Sequence, residues 1–268
     1  MQNAMRITMM SGKRKPKPPA YGGLCFTAES ANSSVQLTAV GSTPPTVTLV
    51  KSFDGVNWEA YAVGEVIDLP SVGDFVYLAA GEGGNETFGS SASAYHQFVI
   101  NGLVAASGDI TSLRRFDLEQ TTLANLCYFS IFRDCTGLTS APELPATTLA
   151  SSCYRYMFSG CTGLKSAPEL PATTLMVICY GCMFQGCTGL MSAPELPATK
   201  LGRNSYIRMF EGCTNLSLIK VRLTTWGAST SNWVSGVSPT GTFYKLSSLP
   251  NEYGVNRIPT GWTVVNID

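Results

Sequence analysis

"CTGLKSAPELPATTLMVICYGCMFQG" (161–186) is one copy of a pattern that recurs on both sides, as "CTGLTSAPELPATTLASSCYRYMFSG" (135–160) and "CTGLMSAPELPATKLGRNSYIRMFEG" (187–212). Cys135, Cys161, Cys187 and Cys213 stand 26 residues apart, as do Cys127, Cys153 and Cys179, with Ser205 in the next place. Leu123, Leu149, Leu175 and Leu201 keep the same step, and so do Phe132, Phe158, Phe184 and Phe210. A degraded earlier copy begins near Asp109 and runs through "ITSLRRFDLEQTTLANLCYFSIFRD" (110–134). A fixed period of this length marks a solenoid, because a unit that cannot bury its own apolar face must stack on its neighbours and share one core. The invariant Leu, Cys, Met and Phe columns are then inward ladders. "SAPEL" is expected to be extended, since a residue before proline avoids the α region. Cys153, Met157 and Phe158, at i, i+4 and i+5, predict a helical or 3₁₀ turn on the opposite side.

The same repeat bears on the thiols. Cys179, Cys182 and Cys187 read C-x2-C-x4-C, which looks like the start of a zinc knuckle. Two of the three belong to repeat columns, and zinc wants a fourth ligand, whereas the one histidine, His96, is far away in the chain. Seven of the nine cysteines sit in the two ladders; Cys25 and Cys182 lie outside them. Buried structural thiols are the expected reading, cysteine being a small hydrophobe that suits a tight stack. Column neighbours about 5 Å apart also admit a disulfide, and the odd cysteine count favours a reducing compartment.

"MFSGCTGL" (157–164), "MFQGCTGL" (183–190) and "MFEGCTNL" (209–216) each place an aromatic, a small residue, Cys and x-x-Leu in order. This resembles the BspA-like leucine-rich repeats over roughly residues 109–223, with a unit lengthened by the "LPAT" insert. The resemblance implies a leucine-rich-repeat solenoid with 26-residue units and a binding role. Such repeats belong to surface proteins of host-associated bacteria and to their phages.

Around the repeat, composition sets limits. Among 268 residues, 44% are hydrophobic and 13% charged, with 26 Gly and 15 Pro, which fits a folded, turn-rich, mainly β protein with short helical turns. Lys+Arg and Asp+Glu both number 18, so no basic face points to nucleic acid. The longest apolar run, "LMVICYGCMF" (175–184), is too short for membrane insertion. Residues 1–20 read as a disordered basic, proline-rich tail. Lys13, Arg14, Lys15 and Lys17 are the candidate anchor onto other virion proteins. Residues 21–108 hold seven short β-branched or aromatic stretches separated by turn signals, which predicts an Ig-like β-sandwich. "GEGGNETFGSSAS" (81–93) is expected to be a flexible loop, and it lacks the ending of a phosphate loop. Residues 224–268 leave the repeat and are expected to cap it, with Trp226, Trp233 and Trp262 packing.

No cofactor motif is present. His96, the one candidate base for a Ser-His-Asp or Cys-His site, has no nucleophile motif beside it and is expected to be satisfied or at the surface. Asp117, Glu143, Glu169 and Glu195 form an acidic ladder with the same step. It is expected to be a solvated, mildly repulsive row; a carbohydrate-active enzyme using such carboxylates is the reading from another class. Variation between units is more telling, because fixed columns belong to a core and changing ones to a surface. The changing positions flank the invariant Tyr: Arg155, Tyr156, Met176, Val177, Ile178, Arg203, Asn204, Ile207 and Arg208. Arg, Tyr and clustered apolar residues suit an interface, so this is the candidate recognition face, for a host surface protein or glycan. Residues 1–20 lack an apolar export segment. With the resemblance, that leads to the expectation of a phage virion structural protein of fibre or decoration type. Such a protein is assembled in the host cytoplasm, and a homo-oligomer is compatible with it. A bacterial cell-surface adhesin is the alternative.

Overall fold

The computed structural model describes residues 23–115 and 122–268; the tail, with Lys13, Arg14, Lys15 and Lys17, and Asp117 of the acidic ladder lie outside the described residues. The chain is mainly β. The N-terminal part contributes β1 (Leu24–Ala28), β2 (Ser33–Val40), β3 (Leu49–Ser52), β4 (Glu59–Tyr61), β5 (Val66–Leu69), β6 (Phe75–Ala80), β7 (Gly89–Ser91), β8 (Ala94–Asn101) and β9 (Val104–Ser107). Two sheets result. One runs β9-β1-β6-β3-β4 and the other β5-β2-β8-β7. Alternation decides the facing: in β8, Phe98 and Ile100 are buried while Val99 and Asn101 are exposed. Phe26 of the first sheet meets Phe98 of the second with ring centroids 4.9 Å apart.

The 81–93 segment is not the flexible loop expected. Asn85 is held by Thr48 N–H (2.8 Å) and donates to the Thr48 and Leu113 carbonyls (3.0 and 2.8 Å). Phe88 is fully buried against Tyr128, and β7 forms within it. The glycines masked a segment whose one aromatic and one amide tie it down.

Both sheets continue without a break into the repeats. β10 (Leu138–Ser140) adds to β9 in parallel, extending the first sheet. On the other side Phe98 N–H donates to Ile131 O at 2.7 Å and Phe88 N–H to Cys127 O at 2.8 Å. The second sheet is thus extended by the turn segment of the first coil. Further along lie the parallel strands β11 (Ser192–Leu196), β12 (Leu218–Val221), β13 (Thr242–Lys245) and β14 (Thr263–Asn266). Residues 192–266 thus form a β-solenoid. Ser192 is in register with Leu218, Leu218 with Thr242 and Thr242 with Thr263. The segment expected to be a cap runs on as further, shorter coils. Trp233 and Trp262 are buried in it and Trp226 is half-buried. Their indole N–H groups donate to the carbonyls of Arg257, Ser238 and Pro250, respectively.

The "CY-x-x-MF" segments are not helical. Within 150–161 the N–H groups of Cys153, Arg155, Met157, Ser159 and Cys161 each bond the carbonyl three residues back. Those of Ser152, Tyr154, Tyr156, Phe158 and Gly160 instead bond Val177, Cys179, Gly181, Met183 and Gln185 of the next coil. The segment is a chain of overlapping β-turns that keeps half its hydrogen bonds local and sends half along the stack. A helix would spend every N–H internally and leave its neighbours unpaired. The short 3₁₀ helices described are Ile110–Leu113 and Ala228–Thr230.

Side chains follow this backbone in pairs. Cys153-Tyr154 and Met157-Phe158 point in, while Ser151-Ser152 and Arg155-Tyr156 lie at the half-exposed surface. The inward pairs stack from coil to coil. Tyr128, Tyr154, Tyr180 and Tyr206 lie nearly parallel at centroid spacings of 5.8, 5.9 and 6.2 Å. Phe132, Phe158, Phe184 and Phe210 do so at 5.5, 5.6 and 5.7 Å. Offset stacking of this kind adds about 0.5–1.5 kcal/mol per pair beyond area burial. Among the described residues the Tyr154 and Tyr180 hydroxyls have no partner, a cost of about 1–3 kcal/mol each that the stack must offset. The coils touch closely enough to dictate glycine: a Cβ on Gly189 would stand 2.5 Å from Thr162 O and 2.9 Å from Leu164 O.

The thiol ladders have a specific job. Cys135, Cys161, Cys187 and Cys213 donate S–H bonds of 2.9–3.1 Å to the carbonyls of Phe98, Phe132, Phe158 and Phe184, each in the preceding layer. All nine cysteines are free and buried. Burial pushes the thiols of Cys127, Cys179 and Cys213 up to about 12. At pH 8 none of the nine is expected to react with iodoacetamide while the protein is folded, and all nine are expected to react once it is unfolded. Rapid native labelling of any ladder thiol, read by mass spectrometry, would contradict this arrangement.

Candidate functional site

The turn side of the stack carries the varying residues, and its geometry follows from backbone handedness. In each coil three residues spaced by four have positive φ. The last is glycine in three coils (Gly160, Gly186 and Gly212), where such angles are free of strain. The other two carry side chains: Leu126 and Ser130, Ser152 and Tyr156, Ile178 and Cys182, Asn204 and Arg208, at φ of 51–59°. Only Asn adopts this region readily; for the rest it costs about 1 kcal/mol or more. The face therefore keeps side chains where glycine would relax the backbone.

All nine sequence-predicted recognition residues lie on this face, on three consecutive coils. Arg155 and Tyr156 are half-buried on the first of these. The Arg155 guanidinium sits 4.9 Å from the Tyr156 ring centroid, and its Nη2 lies 3.4 Å from the tyrosine hydroxyl. Met176 and Val177, on the second, are 45% and 41% exposed. Ile178 is half-buried beside them; a Cβ on Gly181 would approach the methyls of Ile178 and Ile207 at 2.6 and 3.2 Å. Ile178 and Ile207 thus close over that glycine and join two coils in one apolar patch. On the third coil Arg203 and Arg208 are exposed and Asn204 half-buried. Arg208 Nε is 3.8 Å from Glu211 Oε2, and Gln185 donates to the same carboxylate oxygen at 2.5 Å.

Sequence reasoning missed Arg133 and Phe129. Arg133 also lies against the tyrosine, 5.3 Å from the Tyr156 centroid, and Phe129 meets it at 5.9 Å in a T-shaped contact. Both belong to the degraded first copy, and the signal was their column, 26 residues before Ser159 and Arg155. Arg133 also approaches Asp134 at 3.4 Å. Among the described residues, Arg155 and Arg203 have no carboxylate at ion-pair distance.

The other candidate chemistry disperses. Cys179 and Cys187 stand in the two core ladders, whereas Cys182 lies beneath the turn face, bonded to Tyr156 and with its thiol raised by burial. Among the described residues no three His, Cys, Asp or Glu gather as a metal site, and no helix is long and apolar enough to cross a membrane. His96 is buried, 3% exposed, and only half satisfied: its ring bonds the Phe88 backbone, while among the described residues its Nδ1 has no partner. Desolvation lowers its pKa and keeps it neutral. Glu195 is not simply part of a repulsive row. It receives Lys220 Nζ at 2.7 Å and Arg222 Nε at 2.9 Å from the next coil, and these bonds hold its carboxyl below the usual range. Against known proteins, no family model, curated sequence or solved structure matches this chain.

Proposed function

We propose that the chain is a non-enzymatic virion structural protein, of head or tail fibre or decoration type, whose coils project to engage a host surface. On this reading residues 21–108 are an Ig-like β-sandwich that bases the stack. The 26-residue coils are BspA-like leucine-rich repeats, and the basic tail docks onto other virion proteins. One observation carries the binding role: the columns that change between coils face outward on one side, and they hold Tyr156, Ile178 and Arg208 at strained backbone positions. Backbone strain that persists away from the core points to function. Glu195, tied to two cations, is suited to joining coils rather than to giving up a proton. The phage assignment rests on the repeat resemblance. Mass spectrometry of purified extracellular particles against washed cell envelopes tests it. The chain is expected among capsid and tail proteins; recovery from envelopes alone would make it a cell-surface adhesin instead.

A further inference from the structure

We infer that the turn face of the three coils spanning 150–212 docks a protein partner that presents an apolar centre rimmed by carboxylates. This deepens the reading above by naming the class of partner.

Two features select that chemistry. The first is the patch itself. Met176 and Val177 are two-fifths exposed or more, and they adjoin the half-buried Ile178 and Ile207. Contiguous apolar surface rimmed by polar residues marks a protein contact, whereas a glycan brings few apolar faces to fill it. Tyr156, the aromatic a sugar ring would stack on, already has Arg133 and Arg155 against it at 5.3 and 4.9 Å.

The second feature is charge. Arg133 and Arg208 have carboxylates of their own in Asp134 and Glu211. Arg155 and Arg203, on opposite sides of the apolar patch, have none among the described residues. Arg155 Nε is shut off from solvent and has no hydrogen-bond partner among the described residues. Stacking on Tyr156 limits the freedom of that side chain, so a partner carboxylate finds it pre-organised and loses less entropy on pairing. The surplus charge is positive and flanks the patch, so the complementary surface is acidic at its rim and apolar at its centre.

The test uses the full chain and immobilised polymers as probes: a random copolymer of glutamate and leucine, poly-glutamate, and dextran sulfate. The copolymer is expected to bind best of the three. Arg155→Gln and Arg203→Gln are each expected to weaken it about tenfold, and Val177→Ser to abolish the preference for copolymer over poly-glutamate. Arg155→Lys, which keeps the charge, is expected to recover part of the loss. Lys165→Gln, in the "LKSAPEL" segment away from the turn face, is expected to change nothing. Arg203 is exposed and has no ion-pair partner among the described residues, so its variant folds normally and remains informative if an Arg155 variant does not. Equal or tighter binding to dextran sulfate would overturn the inference in favour of an anionic glycan. Copolymer binding that survives both glutamine variants would overturn it outright. Either failure leaves the particle location untouched, and recovery from envelopes alone would leave the docking chemistry intact.

Discussion

Above pH 9 the protein is expected to lose stability steeply and to unfold near pH 10. The cause is the buried ladders. A thiol in the unfolded chain titrates at the ordinary value of 9.0, while burial holds Cys127, Cys179 and Cys213 at about 12 and Cys153, Cys161 and Cys187 well above the ordinary value. Cys135 is raised by the same desolvation. The folded state keeps protons that the unfolded chain gives up. Each thiol's contribution is therefore intact below pH 9 and declines as pH rises from there toward the folded pKa. Each loses about 1.4 kcal/mol by one unit above 9. Seven together lose about 10 kcal/mol, comparable with the whole stability of a typical domain at about 5–15 kcal/mol. The raised core tyrosines push in the same direction. Guanidinium titrations under reductant at pH 7.5, 9 and 10 measure this; a midpoint unchanged at pH 10 would sink the buried-thiol account.

Phe158→Ala is expected to cost about 3–5 kcal/mol. The ring is fully buried between Phe132 and Phe184, at 5.5 and 5.6 Å, and the hole is lined by layers that cannot collapse while their backbones stay hydrogen-bonded at strand spacing. The buried core runs unbroken from Leu24 to Trp262. The variant is therefore expected to unfold in one transition at a lower midpoint by both near- and far-UV circular dichroism. Two separated transitions would show that the N-terminal sheets and the coils fold independently, against the shared hydrogen bonds at Phe98 and Val104.

The stack and its inward columns were legible because a 26-residue step repeats Leu, Cys and Phe in phase. The turn side was misread for a physical reason. Cys153, Met157 and Phe158 at i, i+4 and i+5 satisfy a helical period, but they satisfy a period of four equally well. What separates the two is the intervening pairs, Ser151-Ser152 and Arg155-Tyr156, which face outward together; a helix would turn about 40° further in each four-residue step. The end of the stack was misread because the coils shorten: β13 and β14 pair in register although the phase of 26 is lost. The varying columns of the turn face stood out, yet the partnering of Arg133 with Tyr156 and the closure of Ile178 and Ile207 over Gly181 depend on contacts between coils. Such contacts appear only when the copies are laid on one another in space.

The direction of the hydrogen bonds has a mechanical consequence. They run along the stack axis, from the N-terminal sheets through every coil to β14. Under tension between the two ends of the stack, each layer is peeled from the next, and bonds open a few at a time rather than sharing the load. Force applied along the strands, across the axis, loads all the bonds of a layer together. The molecule should therefore yield readily to an axial pull, unravelling one coil after another and gaining extended chain with each, while resisting sideways drag. A ligand held on the turn face of the middle coils would thus be presented on a rod that is stiff against shear and extensible along its length.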